Sequence, residues 1–330
     1  MSLIEEIRKK SSSLQKRVVL PEAEIDARVL KAAAMLSGMG LAEPMLLGDE
    51  KIISALADKH EVDLPDSVVI KPYKNSEFDD EKFEYFKIKL AHKNPTDQQL
   101  REISLNSLFT GGWMLDTGKA DAAVAGSVAS TGQVIVSALR TVGVAKDSEL
   151  VSSTFLMEMP DGNVFTYADC AVVPYPDSEQ LASIAIDAGD THHLLTGEDP
   201  RIAFLSFSTK GSARHERVEL VQKAYQRAKQ IKPDWKMDGE LQFDTAFVPS
   251  VAKRKAPDSE VGGKANVYIF PNLDAGNIAY KITERLAGAT ATGPILQGLS
   301  KPFMDLSRGC SVDDIVNTAC VASLISQKAG

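Results

Sequence analysis

The sequence predicts an α/β fold of two α/β/α domains with mostly parallel sheets, and three observations carry that expectation. At 330 residues the chain exceeds the size at which a single hydrophobic core keeps growing, so it should divide. Apolar runs of strand length alternate with segments of helical period, the signature of βαβ units. One central stretch breaks that alternation with a hairpin pattern and marks where a second domain begins, near residue 146.

Taken in order, "RVVLPE" precedes "DARVLKAAAMLSGMG", "EPMLLG" precedes "DEKIISALADKH", and "ADAAVAG" precedes "STGQVIVSALRTVG". Each pair reads as a buried strand followed by an amphipathic helix. "VSSTFLMEMP", the turn "DGN" and "VFTYADCAVVP" read as an antiparallel hairpin, because Asp161 and Gly162 sit between two strand-like runs. Alternation resumes through "RIAFLSFS", "HERVELVQKAYQRAKQI", "ANVYIFP" and "DAGNIAYKITERL". The stretch Pro249 to Asn266 has the Pro, Gly and charge content of a long surface loop. The last helix, Ser311 to Lys328, has apolar residues at Ile315, Val316, Ala319, Cys320 and Leu324 and needs a sheet to lie on. Gly111 and Gly112 sit in a helical segment, where glycine is unfavourable by up to roughly 1 kcal/mol each, so close packing is their expected reason.

Composition narrows the function. The chain is 44% hydrophobic and 25% charged, which is ordinarily globular. A net charge of -8 gives no overall basic field to hold nucleic acid or anionic lipid, so an anionic ligand must be met by local positive groups in a pocket. The N-terminal stretch lacks a continuous apolar core of signal type, and no apolar run approaches the roughly 18 residues that span a bilayer, so a cytoplasmic location is expected. Cys170, Cys310 and Cys320 show neither C-x-x-C spacing nor histidine partners, and are expected as reduced thiols. His192 and His193 adjoin but face different directions, against a metal pair. "SGMGLAEP" carries Glu43 where a dinucleotide fingerprint needs its third glycine.

Three stretches place hydroxyls or cations where a strand gives way to a helix, which is where α/β folds bind ligands. "KPFMDLSRGCSVDDIV" holds Ser307, Arg308, Cys310, Asp313 and Asp314 within eight consecutive residues, with Ser311 as a good N-cap. A guanidinium just before a helix N-terminus suits phosphate, although a cap with acidic residues in its first turn explains much of the same pattern. "LSFSTKGSARHE" offers Ser208, Thr209, Lys210 and Ser212, as an anion cradle or a well-capped turn. "AGSVASTGQ" repeats the layout with Ser130 and Thr131.

The chain resembles the phosphate acetyl/butyryl transferases nearly end to end, through "KRVVLPEAE", "GKADAAVAGSVAST", "STFLM", "YADCAVVPYPDSEQLA", "LSFSTKGSA", "DGELQFDTA", "KANVYIFPNLDAGNIAYKITERL" and "TGPILQGLSKPFMDLSRGCS". The resemblance implies reversible acetyl transfer between coenzyme A and phosphate in a ternary complex, without a covalent acyl-enzyme. The catalytic group falls on Ser307, Arg308 and Asp314. Substrate contacts are expected from Ser130, Thr131, Ser208 and Lys210, and coenzyme contacts from Tyr280 and Lys281. The implied architecture is isocitrate-dehydrogenase-like, two domains around a central cleft: residues 1–145 plus 293–330, which carry the S-R-G-C segment, and residues 146–292, which carry dimerisation. A homodimer, coenzyme A as substrate with no tightly bound cofactor or metal, and metabolic coupling to an acetate kinase complete the implication.

The chain departs from the family at two places. Val136 stands where an arginine usually follows the threonine by five residues, and Arg140, one helical turn on, is the candidate replacement. A second arginine is missing before "HKNPT", with Lys89, Lys93 and Arg101 as candidates.

The chemistry needs a base for a thiol of pKa about 8.5. Asp314 is the candidate, but a carboxylate in the first turn of a helix is a weak base, so either partial burial of Asp314 or activation by Arg308 is expected. Cys310, with its pKa lowered by the helix N-terminus and Arg308, is the nucleophile of a rival covalent route. Other readings are preference for propionyl or butyryl groups, a hydroxy-acid decarboxylating oxidoreductase, and a non-catalytic CoA-binding sensor or scaffold.

Overall fold

The computed structural model describes residues 2–75 and 77–329. The chain divides into two compact units, one formed by Leu3–Gly143 with the C-terminal segment from Leu299, the other by Val144–Gly298.

The first unit contains strands β1 (Arg17–Leu20), β2 (Glu43–Leu47), β3 (Val69–Lys71) and β4 (Ala122–Ala125). Its helices are α1 (Leu3–Ser12), α2 (Ala27–Gly38), α3 (Glu50–Lys59), α4 (Asp79–Lys89), α5 (Asp97–Ser104), α6 (Ser107–Asp116) and α7 (Thr131–Arg140). The second unit supplies β5 (Ser152–Glu158), β6 (Val164–Ala168), β7 (Arg201–Leu205), β8 (Lys236–Leu241), β9 (Val267–Ile269) and β10 (Thr290–Gln297). Its helices are α8 (Ser178–Thr196), α9 (Glu216–Ile231), α10 (Phe243–Phe247), α11 (Pro249–Lys255) and α12 (Leu273–Ala287). The chain then returns to the first unit with β11 (Phe303–Asp305) and α13 (Val312–Ile325).

The first sheet is parallel throughout, in the order β11-β4-β1-β2-β3. Parallel strands covered on both faces must be apolar on both, and β1 (Val18, Val19, Leu20) and β4 (Ala122, Ala123, Val124, Ala125) are buried accordingly. The alanines of β4 let α6 and α13 close in on its two faces. The glycine pair in α6 has the expected reason: a Cβ on Gly112 would lie 2.2 Å from Thr141 Oγ1, and one on Gly111 3.0 Å from Pro21. β1 runs on to β2 and β3 in one direction while β4 and β11 lie on its other side, so the topological switch point falls between β1 and β4. The last helix does return to this unit, where it packs on α1, α2 and β4.

The second sheet has the order β10-β5-β6-β9-β7-β8, antiparallel across β10, β5 and β6 and parallel beyond. The hairpin β5–β6 turns at Asp161 and Gly162, as the sequence indicates. Two expectations need correction. Residues 293–298 belong to the second unit, because β10 pairs antiparallel with β5 from Thr290 to Gln297. The stretch Pro249 to Asn266 is not all loop: Pro249 stands at the first position of α11, where its fixed φ and missing N–H favour helix initiation. His192 and His193 diverge as expected; the first is buried and shares a 2.9 Å hydrogen bond with Thr166, and the second is exposed. No helix among the described residues is long and apolar enough to cross a membrane.

Candidate active site

At the switch point the carboxyl ends of three neighbouring strands, β11, β4 and β1, meet around a set of polar residues. Asp305 closes β11, Gly126 follows β4, and Glu22 follows β1. Glu22 is buried, and its carboxylate accepts the N–H groups of Gly126 (2.8 Å), Ser127 (2.8 Å), Val128 (3.1 Å) and Ala129 (2.6 Å). The amides of "AGSVA" that read as a cradle for an external anion therefore hold an internal one. Downstream, Ser130 caps α7 in a capping box with Gln133, and Thr131 Oγ1 donates to Asp305 Oδ2 at 2.6 Å. That bond places Thr131 against the residue two before Ser307. Asp305 Oδ1 is buried without a hydrogen bond. Burial pushes the Asp305 carboxyl up to about 6 against the Thr131 hydrogen bond, and the negative charge of Glu22 raises it further.

The next residues form a tight turn. Cys310 N–H donates to the Ser307 carbonyl at 2.9 Å and Gly309 N–H to Ser307 Oγ at 3.3 Å. Ser311 then caps α13: its Oγ accepts from Asp314 N–H at 3.1 Å, while Asp314 Oδ2 accepts from the N–H (2.8 Å) and hydroxyl (2.9 Å) of Ser311. Asp313 pairs with Arg8 of α1 at 2.7 Å. The cap and the Ser307–Arg308 turn thus coexist, each with its own residues. Asp314 is exposed, which corrects the expectation of partial burial; its side chain must stay at the surface to fold back on Ser311.

Arg28 is a residue of this site that the sequence did not single out. Its Nη1 donates to the carbonyls of Arg308 (3.0 Å) and Cys310 (2.7 Å), its Nη2 to the Ser127 carbonyl (2.9 Å), and its Nη2 and Nε to Asp26. One guanidinium so ties together the loops after β1, β4 and β11. At Asp26 burial opposes ionisation, but the hydrogen bonds from Arg28 outweigh it and hold the carboxyl below its usual value. Arg308 is different: it is exposed, and among the described residues its guanidinium has no partner.

Cys310 lies in the same turn, buried, with its Sγ 3.8 Å from Arg28 Nη1. Burial pushes its thiol up, more than Arg28 lowers it, and the carboxylates of Asp26 and Asp314 push the same way. The thiol is therefore not activated as the covalent route needs.

The other candidates are placed as follows. Arg140 ends α7, one helical turn or about 6 Å along the axis beyond Val136 at 1.5 Å per residue. It lines a cavity of about 350 Å³ with Lys93. Lys89 pairs with Asp116 at 2.8 Å, and Arg101 lies over the Phe83 ring. In the second unit, buried Ser208 donates to Glu240 at 2.9 Å, and Gly211 N–H donates to the same carboxylate at 2.7 Å. Lys210 pairs with the buried carboxylate of Asp238. Tyr280, on α12, stacks on Phe155 at 4.2 Å, with the ammonium of Lys281 5.7 Å from the Tyr280 ring. Two of the three anion-like stretches are thus filled by the chain's own glutamates, Glu22 and Glu240. Among the described residues, Arg308 in the first stretch and Arg214 in the second are exposed cations with no partner.

A free guanidinium and a hydroxyl at the switch point of a parallel α/β unit are groups suited to an anionic ligand such as phosphate. Comparison with known proteins narrows this. The phosphate acetyl/butaryl transferase family profile matches residues 2–323, and the chain belongs to that family of acyltransferases. It is 45% identical to a phosphate acetyltransferase from Acetivibrio thermocellus over 99% of both chains. It is 42% identical to another from Thermoanaerobacterium thermosaccharolyticum, over 99% of this chain and 100% of that one. A solved phosphotransacetylase from Streptococcus pyogenes superposes with a TM-score of 0.94 at 37% identity, covering 99% of this chain and 98% of the other.

Proposed function

We propose that the chain catalyses reversible transfer of an acetyl group between acetyl-CoA and inorganic phosphate, with the turn Ser307–Cys310 as its reaction centre. The observation that carries this reading is the free guanidinium of Arg308 on a turn that Arg28 braces, in a unit whose "AGSVA" amides are already taken by Glu22.

In the direction of thioester synthesis the coenzyme thiolate attacks the acetyl carbonyl of acetyl phosphate. The new C–S bond forms as the C–O bond to phosphate breaks, and phosphate leaves with that electron pair. Arg308 binds the phosphoryl oxygens and neutralises the leaving group. Ser307, whose hydroxyl oxygen already accepts from Gly309 N–H, keeps its proton for the carbonyl oxygen as that becomes an oxyanion. The thiol proton passes to Asp314, whose Oδ1 has no partner among the described residues. The cationic field of Arg308 supplies much of the thiol activation. Thr131 shapes the acyl side through its link to Asp305, and Ser130 through the capping box that starts α7. Tyr280 and Lys281 are assigned to the coenzyme, while Ser208 and Lys210 are assigned to holding their own loop.

The functional unit we propose is a cytoplasmic homodimer. Support comes from α12, which exposes Ile278, Ile282 and Leu286 at one-turn spacing, an apolar stripe of the kind a second subunit covers. The acetyl phosphate formed would be consumed by an acetate kinase. Thioester formation from coenzyme A with acetyl, propionyl and butyryl phosphate tests the reading: rapid turnover with acetyl phosphate supports it, and coenzyme binding without turnover on any acyl phosphate refutes it.

A further inference from the structure

The first unit holds a cavity of about 260 Å³ that the acyl-transfer site does not use. Arg17, which opens β1, and Lys119, which precedes β4, line it, so it reaches the amino ends of strands whose carboxyl ends carry that site. Its apolar wall is Met45, Pro72, Phe78, Trp113 and Met114. Four cations, Arg17, Lys71, Lys82 and Lys119, also line it, and no carboxylate does.

Two features of that wall are unfinished. Thr110 and Trp113 are each only 2% exposed, yet Thr110 Oγ1 and Trp113 Nε1 have no hydrogen-bond partner. Leaving such a donor unmade costs about 1–3 kcal/mol, and native proteins rarely tolerate it without a partner. The two residues are three apart on α6 and so share a face. The cations are unequally committed. Arg17 pairs with Asp121, Lys82 with Asp79 and Lys119 with Glu81, whereas Lys71 has no partner among the described residues. The Lys119 ammonium lies 5.0 Å from the Phe78 ring and 5.1 Å from the Trp113 ring, over the aromatic part of the wall. Lys82 is fully buried, and burial lowers its pKa against the pull of Asp79, so an anion in the cavity would favour its charged form.

We propose that this cavity binds a small organic carboxylate with an apolar body, the carboxylate received by Trp113 Nε1 and Thr110 Oγ1 in the field of the lysines. The body lies against Met45, Phe78 and Met114. The volume is below that of drug-sized pockets, which limits the ligand to a small metabolite. Inorganic phosphate lacks the apolar part and a neutral amide lacks the charge, so neither fills both requirements.

The chain has two tryptophans, so a Trp235→Phe background leaves Trp113 as the sole indole reporter. Titration of that protein with benzoate, phenylacetate, isovalerate and hexanoate is expected to give a saturable change in Trp113 emission with at least one of them. Benzamide and inorganic phosphate are expected to give none. Lys71→Ala and Thr110→Val should each weaken the carboxylate by about tenfold or more while the thermal midpoint stays within a few degrees. No saturation with any of the four carboxylates up to about 10 mM, a weak-binding limit below about 3 kcal/mol, would overturn the proposal. So would equal binding of benzamide, or affinities unchanged in both variants.

Discussion

The guanidinium of Arg28 donates to the main-chain carbonyl of Arg308 at 3.0 Å, so one arginine fixes the turn that presents the other. The two are 280 positions apart in the chain, and their roles divide cleanly. Arg28 is spent on carbonyls and on Asp26; Arg308 is unspent.

Arg28→Ala should therefore lower the rate of acetyl transfer by about 10- to 100-fold, because the turn loses its brace and small misplacements of catalytic groups are costly. It should also lower stability by about 1–3 kcal/mol, since the Asp26 carboxylate is left buried without its partner. Arg28→Lys should recover little, because one ammonium cannot span three loops. Initial rates and urea unfolding check both effects.

Gly126 is a point where the backbone passes close against Asp305 and Leu306. Its φ is +106°, and a Cβ there would lie 2.5 Å from Asp305 Oδ1 and 2.7 Å from the backbone of Leu306. Gly126→Ala should destabilise the protein by roughly 2 kcal/mol or more and abolish transfer. Gly132→Ala, with open space around its Cβ in α7, should instead be neutral or stabilising by up to about 1 kcal/mol. Thermal melts of the pair decide the matter.

Asp305 gives a signed pH effect. Its folded pKa of about 6 lies above the ordinary carboxylate value of 3.8, so the folded state holds this proton more tightly than the unfolded one. The contribution is present in full below pH 3.8 and is lost as pH rises through about 6, with a limit on the order of 3 kcal/mol. Asp305→Asn, which keeps an acceptor for Thr131, should gain stability relative to the parent between pH 4 and pH 7. Unfolding curves at both pH values read this directly.

His192 acts with the opposite sign. Burial lowers its pKa from 6.5 to about 4, so the unfolded chain takes up the proton first. Its contribution is complete above pH 6.5 and is lost as pH falls toward 4, again by up to about 3 kcal/mol. His192→Gln should flatten the acid limb of the stability profile even where it lowers stability at pH 7, and urea midpoints from pH 7 to pH 4.5 test the slope.

Much of this architecture was legible because buried parallel strands such as "RVVL" and "ADAAVA" leave unmistakable apolar runs. β10 was not, since "TATGPILQ" carries a glycine and a proline that read as loop, and only its pairing with β5 keeps it extended. α11 was hidden by a composition that reads as a long surface loop, although Pro249 at its first position is a helix-start signal that could have found it. At the site, Ser307, Arg308 and Asp314 stand within one short segment that a motif can expose. Glu22, Arg28 and Asp305 act through hydrogen bonds across about a hundred residues or more, and no local pattern marks a side chain whose partner is that distant. The same blindness left "STKGSA" and "AGSVAST" open between anion cradles and capped turns: the donors were visible, and the glutamates that fill them were not.

The measurement closest to the centre of this account compares thioester formation by the parent protein and by Arg308→Ala, beside their thermal midpoints. Because the guanidinium touches nothing among the described residues, the midpoints should agree within a few degrees, while kcat should fall by about a thousandfold as the leaving phosphate loses its charge-assisted hydrogen bonds. Transfer at near-parental rate in Arg308→Ala would contradict the assignment of this turn as the reaction centre.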